Sequence, residues 1–195
     1  MKYLALFTLT LCFLSRLLYA DQTLENIQQA ISVNNANWQT GTSWVSGLSK
    51  DEFKTLCGTV LDRKFANESE LLTLKSTESL PSRFDWRSNS GNWITSVKNQ
   101  ASCGSCWDFS ATAQVEAWWQ IHYANADTNL DLSEQFVLSC GDAGSCNGGM
   151  VELALDFYRD TGVPLETCLP YKAKDNIDCS QACEDWQEHA VTIPG

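Results

Sequence analysis

Seven of the nine cysteines, Cys103, Cys106, Cys140, Cys146, Cys168, Cys179 and Cys183, lie in the C-terminal half of the 195-residue chain, while Cys12 and Cys57 stand apart. Seven is odd. Setting one aside as a thiol leaves six half-cystines, which fifteen different pairings would satisfy. Each bridge would tie down a loop and contribute about 2–4 kcal/mol. Such a framework needs an oxidising compartment, and the N-terminus supplies a route to one. Lys2 precedes the uncharged apolar stretch Tyr3 to Leu14, Arg16 interrupts it, and Leu18-Tyr19-Ala20 puts a small residue before Asp21. This is the pattern of a secretory signal peptide (residues 1–20) cut after Ala20, too short to span a bilayer. A buried core helix is the other reading of the same stretch.

Composition removes several function classes. The chain carries 24 acidic and 13 basic side chains, a net charge of −11, whereas nucleic-acid binding needs clustered Lys and Arg. A hydrophobic fraction of 44% with eight tryptophans is too rich for a disordered chain. No apolar run reaches the roughly 20 residues of a membrane-spanning helix. The expectation is a soluble protein with neither nucleic acid nor membrane as partner. Residues 21–79 carry five basic and eight acidic side chains, and residues 80–195 six and sixteen, so bulk charge does not draw the two parts together.

Leu24, Ile27, Gln28 and Ile31 recur at helical spacing, Asn34, Asn35 and Asn37 break that helix, and Trp38-Gln39-Thr40-Gly41 predicts a turn. Ser49 followed by Glu52 predicts a capping box, with Phe53, Leu56 and Val60 as the apolar face of the helix it opens. Residues 62–79 are polar and hold the sequon Asn67-Glu68-Ser69, so an exposed linker glycosylated at Asn67 is expected. After Leu80-Pro81 the character changes. A short strand is predicted at Trp93 to Val97, and a long helix from Trp107 to Tyr123 with Phe109, Ala113, Val115, Trp118 and Ile121 for burial. Further helices are predicted from Ser133 toward Cys140 and from Met150 to Tyr158.

The chemistry concentrates at Gln100 to Trp107. Cys106 precedes the first turn of the long helix, where unpaired N–H groups and the positive end of the helix dipole favour a thiolate. Gln100, six residues upstream, offers an amide that can join the Cys106 N–H in holding a developing oxyanion. A thioredoxin-like redox pair at Cys103-x-x-Cys106 would want a βαβ unit, which is not legible here. Zinc would want a second close cysteine pair, and Cys140 and Cys146 are too widely spaced. Cys179-x-x-x-Cys183 with His189 is accounted for more simply by disulfides. No metal or cofactor is expected.

Cys103-Gly104-Ser105-Cys106-Trp107 resembles the nucleophile signature of papain-like cysteine peptidases. Leu80-Pro81-Ser82-Arg83-Phe84-Asp85-Trp86-Arg87 resembles the family's mature N-terminus, and Leu132-Ser133-Glu134-Gln135 and Cys146-Asn147-Gly148-Gly149 resemble its next two blocks. Trp38-Gln39-Thr40-Gly41 and Leu56-Cys57-Gly58-Thr59 look like the short inhibitory propeptide of the cathepsin B branch.

The resemblance implies an α+β papain-like fold of which residues 80–195 are the helical N-terminal domain, preceded by an inhibitory propeptide and linker at 21–79. It implies Cys106 as nucleophile and Gln100 as oxyanion donor. Gly148 and Gly149 would pair with an extended peptide substrate. Met150 and Val151 would line an apolar specificity pocket, unless they merely begin a core helix. The implied disulfides are Cys103–Cys146, Cys140–Cys179 and Cys168–Cys183. The implied partners are a peptide or protein substrate and the chain's own propeptide, in an enzyme that is monomeric when complete. The secretory route would lead to a lysosome, a vacuole or the exterior.

The family's His and Asn are expected about 130–150 residues after the nucleophile, beyond Gly195. His122 lies on the same helix as Cys106, about 24 Å along it, and His189 is too early in the sequence. The chain therefore reads as a C-terminally incomplete endopeptidase precursor, inactive alone, with an apolar face meant for its missing β-barrel-like domain. The alternative is a truncated or degenerate homologue that binds or inhibits. Three features depart from the family: Asp108 in place of a small residue, Ala101 in place of a glycine, and no His-His loop between Cys146 and Cys183, which favours endopeptidase over carboxydipeptidase action.

Overall fold

The structure is a computed structural model that describes residues 24–60 and 81–195. The expected signal peptide, Asn67 and the whole of the expected linker at 62–79 lie outside them. Two compact units divide the chain, Met1–Phe53 and Lys54–Gly195.

In the first unit, helix α1 covers residues 24–33. It stops where the Asn34 side-chain amide donates to the Ala30 carbonyl at 2.8 Å and Asn35 turns to φ 49°. The helix thus breaks at Asn34 and Asn35 as expected, because asparagine tolerates left-handed backbone, whereas residues 38–41 do not form the predicted turn. A 3-10 turn, Trp44–Gly47, follows. Ser49 and Glu52 then form the predicted capping box: the Ser49 N–H donates to the Glu52 carboxylate at 2.7 Å, and the Glu52 N–H donates to Ser49 Oγ at 3.3 Å. Helix α2 runs Lys50–Thr55.

That helix does not reach Val60 as predicted. Beyond Thr55 the chain extends, because its backbone finds partners elsewhere: the Gly149 N–H donates to Gly58 O and the Val60 N–H donates to Gly149 O, each at 2.8 Å.

The second unit is built on helices α3 (Cys106–His122), α4 (Glu134–Cys140) and α5 (Val151–Asp160), with α3 packed against the other two. Ser133 caps α4 by accepting from the Phe136 N–H at 2.9 Å. Gly162, at φ 83°, follows the end of α5. The core holds Trp107, Ala111, Val115, Leu132, Phe136, Val137, Ala154, Tyr158 and Val163. Fully burying aromatics such as Trp107 or Phe136 stabilises by roughly 2–3 kcal/mol each.

The buried stripe of α3 differs from the predicted one. Trp107, Asp108, Ala111, Thr112, Val115, Glu116 and Gln120 face inward, whereas Ala113 and Ile121 are exposed. Four of the seven are polar, which conceals the stripe from a hydrophobic pattern.

The only strands among the described residues are β1 (Gly144–Ser145) and β2 (Gly148–Gly149), antiparallel with Gly144 opposite Gly149 and Ser145 opposite Gly148. Trp93–Val97 is not a strand. Side chains satisfy its backbone instead: the Ile94 N–H donates to Asn92 Oδ1 and the Ser96 N–H to Asn129 Oδ1. Disulfides join Cys103 to Cys146, Cys140 to Cys179 and Cys168 to Cys183.

Candidate active site

Cys106 is the first residue of α3, half-buried, and its thiol is outside any disulfide. The turn before it is held from three sides. Cys103 is bonded to Cys146, and the Gly104 N–H donates to the Cys146 carbonyl at 2.8 Å. A Cβ at Gly104 would meet Cys146 O at 2.6 Å and Thr55 O at 2.8 Å, so only glycine fits. Ala101 adopts φ 52°, the left-handed backbone that a glycine would take without strain.

Gln100 points its amide into the same corner, donating from Nε2 to Cys103 O at 2.8 Å and to Leu56 O at 2.9 Å. Its own carbonyl is fixed by a residue that sequence reasoning missed. The Tyr171 phenol donates to Gln100 O at 3.1 Å and lies 2.6 Å from the buried Ser105 hydroxyl. The Tyr171 ring stands edge-on to Phe109, 4.9 Å between centroids. Half-buried and close to Asp108 and Glu134, the phenol has its pKa pushed up to about 12, burial being the main cause and the Ser105 hydrogen bond opposing it.

Residues 56–60 lie over this corner. The Gly58 N–H donates to Cys106 Sγ at 3.1 Å, and Thr59 Oγ1 is 3.3 Å from the same sulfur. Thr59 bridges to Gly149 in parallel register. Gly149 is therefore paired on both sides, with β1 and with this segment. A Cβ at Gly149 would fall 2.5 Å from the Trp107 ring, and one at Gly58 would fall 1.6 Å from Gly104 O. At Gly148, whose φ is 129°, a Cβ would meet Gly58 O at 2.7 Å. Met150 is the N-cap of α5, its N–H donating to Ala143 O at 3.0 Å, and Met150 and Val151 are both half-buried.

Behind the thiol, Lys98 Nζ meets Asp131 at 2.7 Å, Glu134 at 2.8 Å and Glu116 at 3.1 Å, and it donates to Leu132 O at 3.1 Å. Burial works to lower the Lys98 pKa, but the three carboxylates hold it above its ordinary value. Glu134 is pushed up to about 7, burial outweighing Lys98. Asp108 is fully buried; it accepts from Thr112 at 3.2 Å, while its second oxygen has no hydrogen-bond partner. Burial first, and Glu134 second, raise its pKa well above the carboxylate range. A Ser133-Glu134 cap followed by a buried face was legible, but nothing in the pattern tied Lys98 to it.

Neither histidine belongs to this corner. His122 stacks on Trp118 at 4.8 Å along α3, and the exposed His189 lies 3.4 Å from Asp185.

A model of the papain family cysteine proteases matches residues 80–194. Caricain of Carica papaya is 34% identical over 77% of this chain and 42% of its own length. A cathepsin L-like protein of Caenorhabditis elegans is 32% identical over 78% of this chain and 45% of its own length. Digestive procathepsin L2 from the larval midgut of Tenebrio molitor superposes with a TM-score of 0.61 at 24% identity, over 83% of this chain and 54% of the other. The chain thus spans less than half the length of these curated relatives, and its described residues carry the helical N-terminal part of a papain-like fold. With that model covering more than half of its residues, the chain belongs to the papain family of cysteine proteases.

Proposed function

We propose that the chain supplies the nucleophile half of a cysteine endopeptidase precursor, held latent by its own residues 56–60. One observation carries this reading: a backbone segment occupies the thiol and the amide together, with Gly58 N–H on Cys106 Sγ and Leu56 O on Gln100 Nε2. In the reaction, the Cys106 sulfur attacks the carbonyl carbon of a peptide bond, and the carbonyl oxygen becomes an oxyanion. Gln100 Nε2, now donating to Leu56 O, and the Cys106 N–H receive that charge. A general base takes the Cys106 thiol proton and, as its conjugate acid, gives it to the leaving amine, and water then releases the acyl group from sulfur as a carboxylic acid and restores the thiol.

The edge of β2 that now bonds to Gly58 and Val60 would take an extended substrate in the strand-addition mode, at Gly148 and Gly149. Met150 and Val151 adjoin that edge and favour an apolar substrate side chain. The base and the group orienting it are proposed to come from a second domain, which fits the share of the relatives' length that this chain spans. Three disulfides fit passage through the secretory pathway.

The test is labelling of the full chain. Iodoacetamide should alkylate Cys106 slowly, and a peptidyl epoxide should label it no faster than an ordinary thiol. Labelling at an enzymic rate would overturn the proposal that the base lies elsewhere. A Cys106 that stays inert to iodoacetamide after Gly58→Arg displaces the covering segment would overturn its role as nucleophile.

A further inference from the structure

Among the described residues, two cysteines stand outside the three disulfides, Cys57 and Cys106. They are 49 positions apart in sequence (106 minus 57) and adjacent in space. Gly58, whose N–H donates to Cys106 Sγ at 3.1 Å, is the residue bonded to Cys57. The described backbone has no cis peptide bond, and in a trans peptide the N–H lies on the same side as the preceding Cα. An N–H aimed at the sulfur therefore brings the Cys57 Cα to about 4–5 Å from it. That is close enough for the sulfur of Cys57 to bond to the sulfur of Cys106.

Cys57 is not passing by chance. Gly58 O and the Val60 N–H are both bonded to Gly149, and the Cys57 N–H donates to Lys54 O, so the backbone on each side is fixed. Gly58 itself is buried and without room for a side chain, which stops the segment from sliding by one residue.

We infer that Cys57 is a redox cross-linking site, which forms a disulfide with Cys106 when a low-molecular-weight disulfide is the oxidant. Cys57 is exposed and Cys106 only half so, which orders the two steps. In the first, the Cys57 thiolate attacks the small disulfide, giving a mixed disulfide on Cys57 and releasing one small thiol. In the second, the Cys106 thiolate attacks the Cys57 sulfur and expels the second small thiol. Two protein thiols are oxidised by two electrons, and one small disulfide is reduced to two thiols. The bond would convert a non-covalent cover into a covalent one that a reducing environment removes. Its meaning as latency rests on the peptidase reading proposed above; the bond itself rests on geometry alone.

The experiment uses the full chain, its three structural disulfides intact, poised with glutathione disulfide and glutathione and then mapped by mass spectrometry without reduction. A Cys57–Cys106 linked peptide, two hydrogens lighter than the separate thiols, is the expected product. Site-resolved alkylation of Cys106 by iodoacetamide should fall at least about tenfold on oxidation, an effect equivalent to about 1.4 kcal/mol, and return at a mildly reducing poise. In Cys57→Ser the same treatment should leave Cys106 alkylation within about twofold of the untreated variant. The inference is overturned if the linked peptide is absent at poises where Cys106 is found as a mixed disulfide with glutathione, or if wild type and Cys57→Ser lose alkylation equally. Because the linked peptide is read in the wild-type chain, a variant that fails to fold leaves the test intact. A linked peptide together with a Cys106 inert to every electrophile would sink the peptidase reading while leaving the cross-link standing.

Discussion

Tyr171 donates its phenol proton to the backbone carbonyl of Gln100, 71 positions away in sequence and 3.1 Å away in space. The buried Ser105 hydroxyl is left to donate to the phenol oxygen at 2.6 Å. One hydroxyl thus fixes the residue before the thiol and the residue that carries the candidate oxyanion amide. Tyr171→Phe keeps the ring against Phe109 but leaves the Ser105 hydroxyl without this partner. The expected loss is about 1–3 kcal/mol, read as a lower urea midpoint at unchanged slope. A midpoint equal to wild type would mean that water replaces the phenol fully.

Gly58 should be intolerant of any side chain. A Cβ there would stand 1.6 Å from the backbone oxygen of Gly104, which cannot yield because Cys103–Cys146 anchors that turn. Gly58→Ala is therefore expected to lift residues 56–60 off the site while the helical unit stays folded. Alkylation of Cys106 by iodoacetamide should accelerate about tenfold or more, the equivalent of 1.4 kcal/mol. An unchanged rate with an unchanged melting curve would show that the segment does not shield the sulfur.

These two residues also show what could and could not be read from the sequence. The capping box at Ser49 and Glu52 and the Ser133 cap are local, set within four residues, and both form. Helix α3 is legible in extent but not in its inward face, since Thr112, Glu116 and Gln120 are buried through partners distant in sequence and Asp108 is buried beside Thr112. The break after Thr55 was missed for the same reason: Gly58 and Val60 leave helical spacing because Gly149 bonds them, and Gly149 lies about ninety positions on. Cysteine count alone leaves fifteen pairings open, and only the family resemblance points to particular ones. Gln100 and Cys106 were legible as neighbours in a motif. Tyr171 was not, because a single tyrosine in a loop carries no periodicity.

Lys98 should be the most sensitive side chain behind the site. It is the cation shared by Glu116, Asp131 and Glu134, and the side chains of Glu116 and Glu134 are only 1% and 2% exposed. Lys98→Met strands two carboxylates in the interior, a change expected to destabilise by about 3–5 kcal/mol. Acid should partly rescue the variant, because protonating those carboxyls removes the uncompensated charge. Unfolding midpoints of the variant at pH 5 and pH 8 make the comparison. A variant as stable as wild type at pH 8 would show that the cluster is not desolvated.

Stability of the chain should fall as pH rises through neutrality. Burial lifts Glu134 from 4.5 to about 7, and it lifts Asp108 well above 3.8. Between the unfolded and folded values, the folded state holds a proton that the unfolded chain has released. Its stability therefore declines with pH over that window. For Glu134 the favourable contribution is complete below about pH 4.5 and is lost by the time pH has passed about 7, on the order of 3 kcal/mol in all. Asp85, which is half-buried, and the exposed Asp160 and Asp178 are held below their ordinary values by Arg87, Arg159 and Ser180 respectively, so they finish titrating at lower pH and leave this window alone. Asp108→Asn keeps an oxygen for the Thr112 hydroxyl but cannot titrate, so its stability should decline less steeply than that of wild type between pH 5 and 8. Urea unfolding of both proteins at half-unit intervals gives the slopes directly. Parallel slopes would remove Asp108 from the account, and a wild-type stability that rises with pH would remove Glu134 with it.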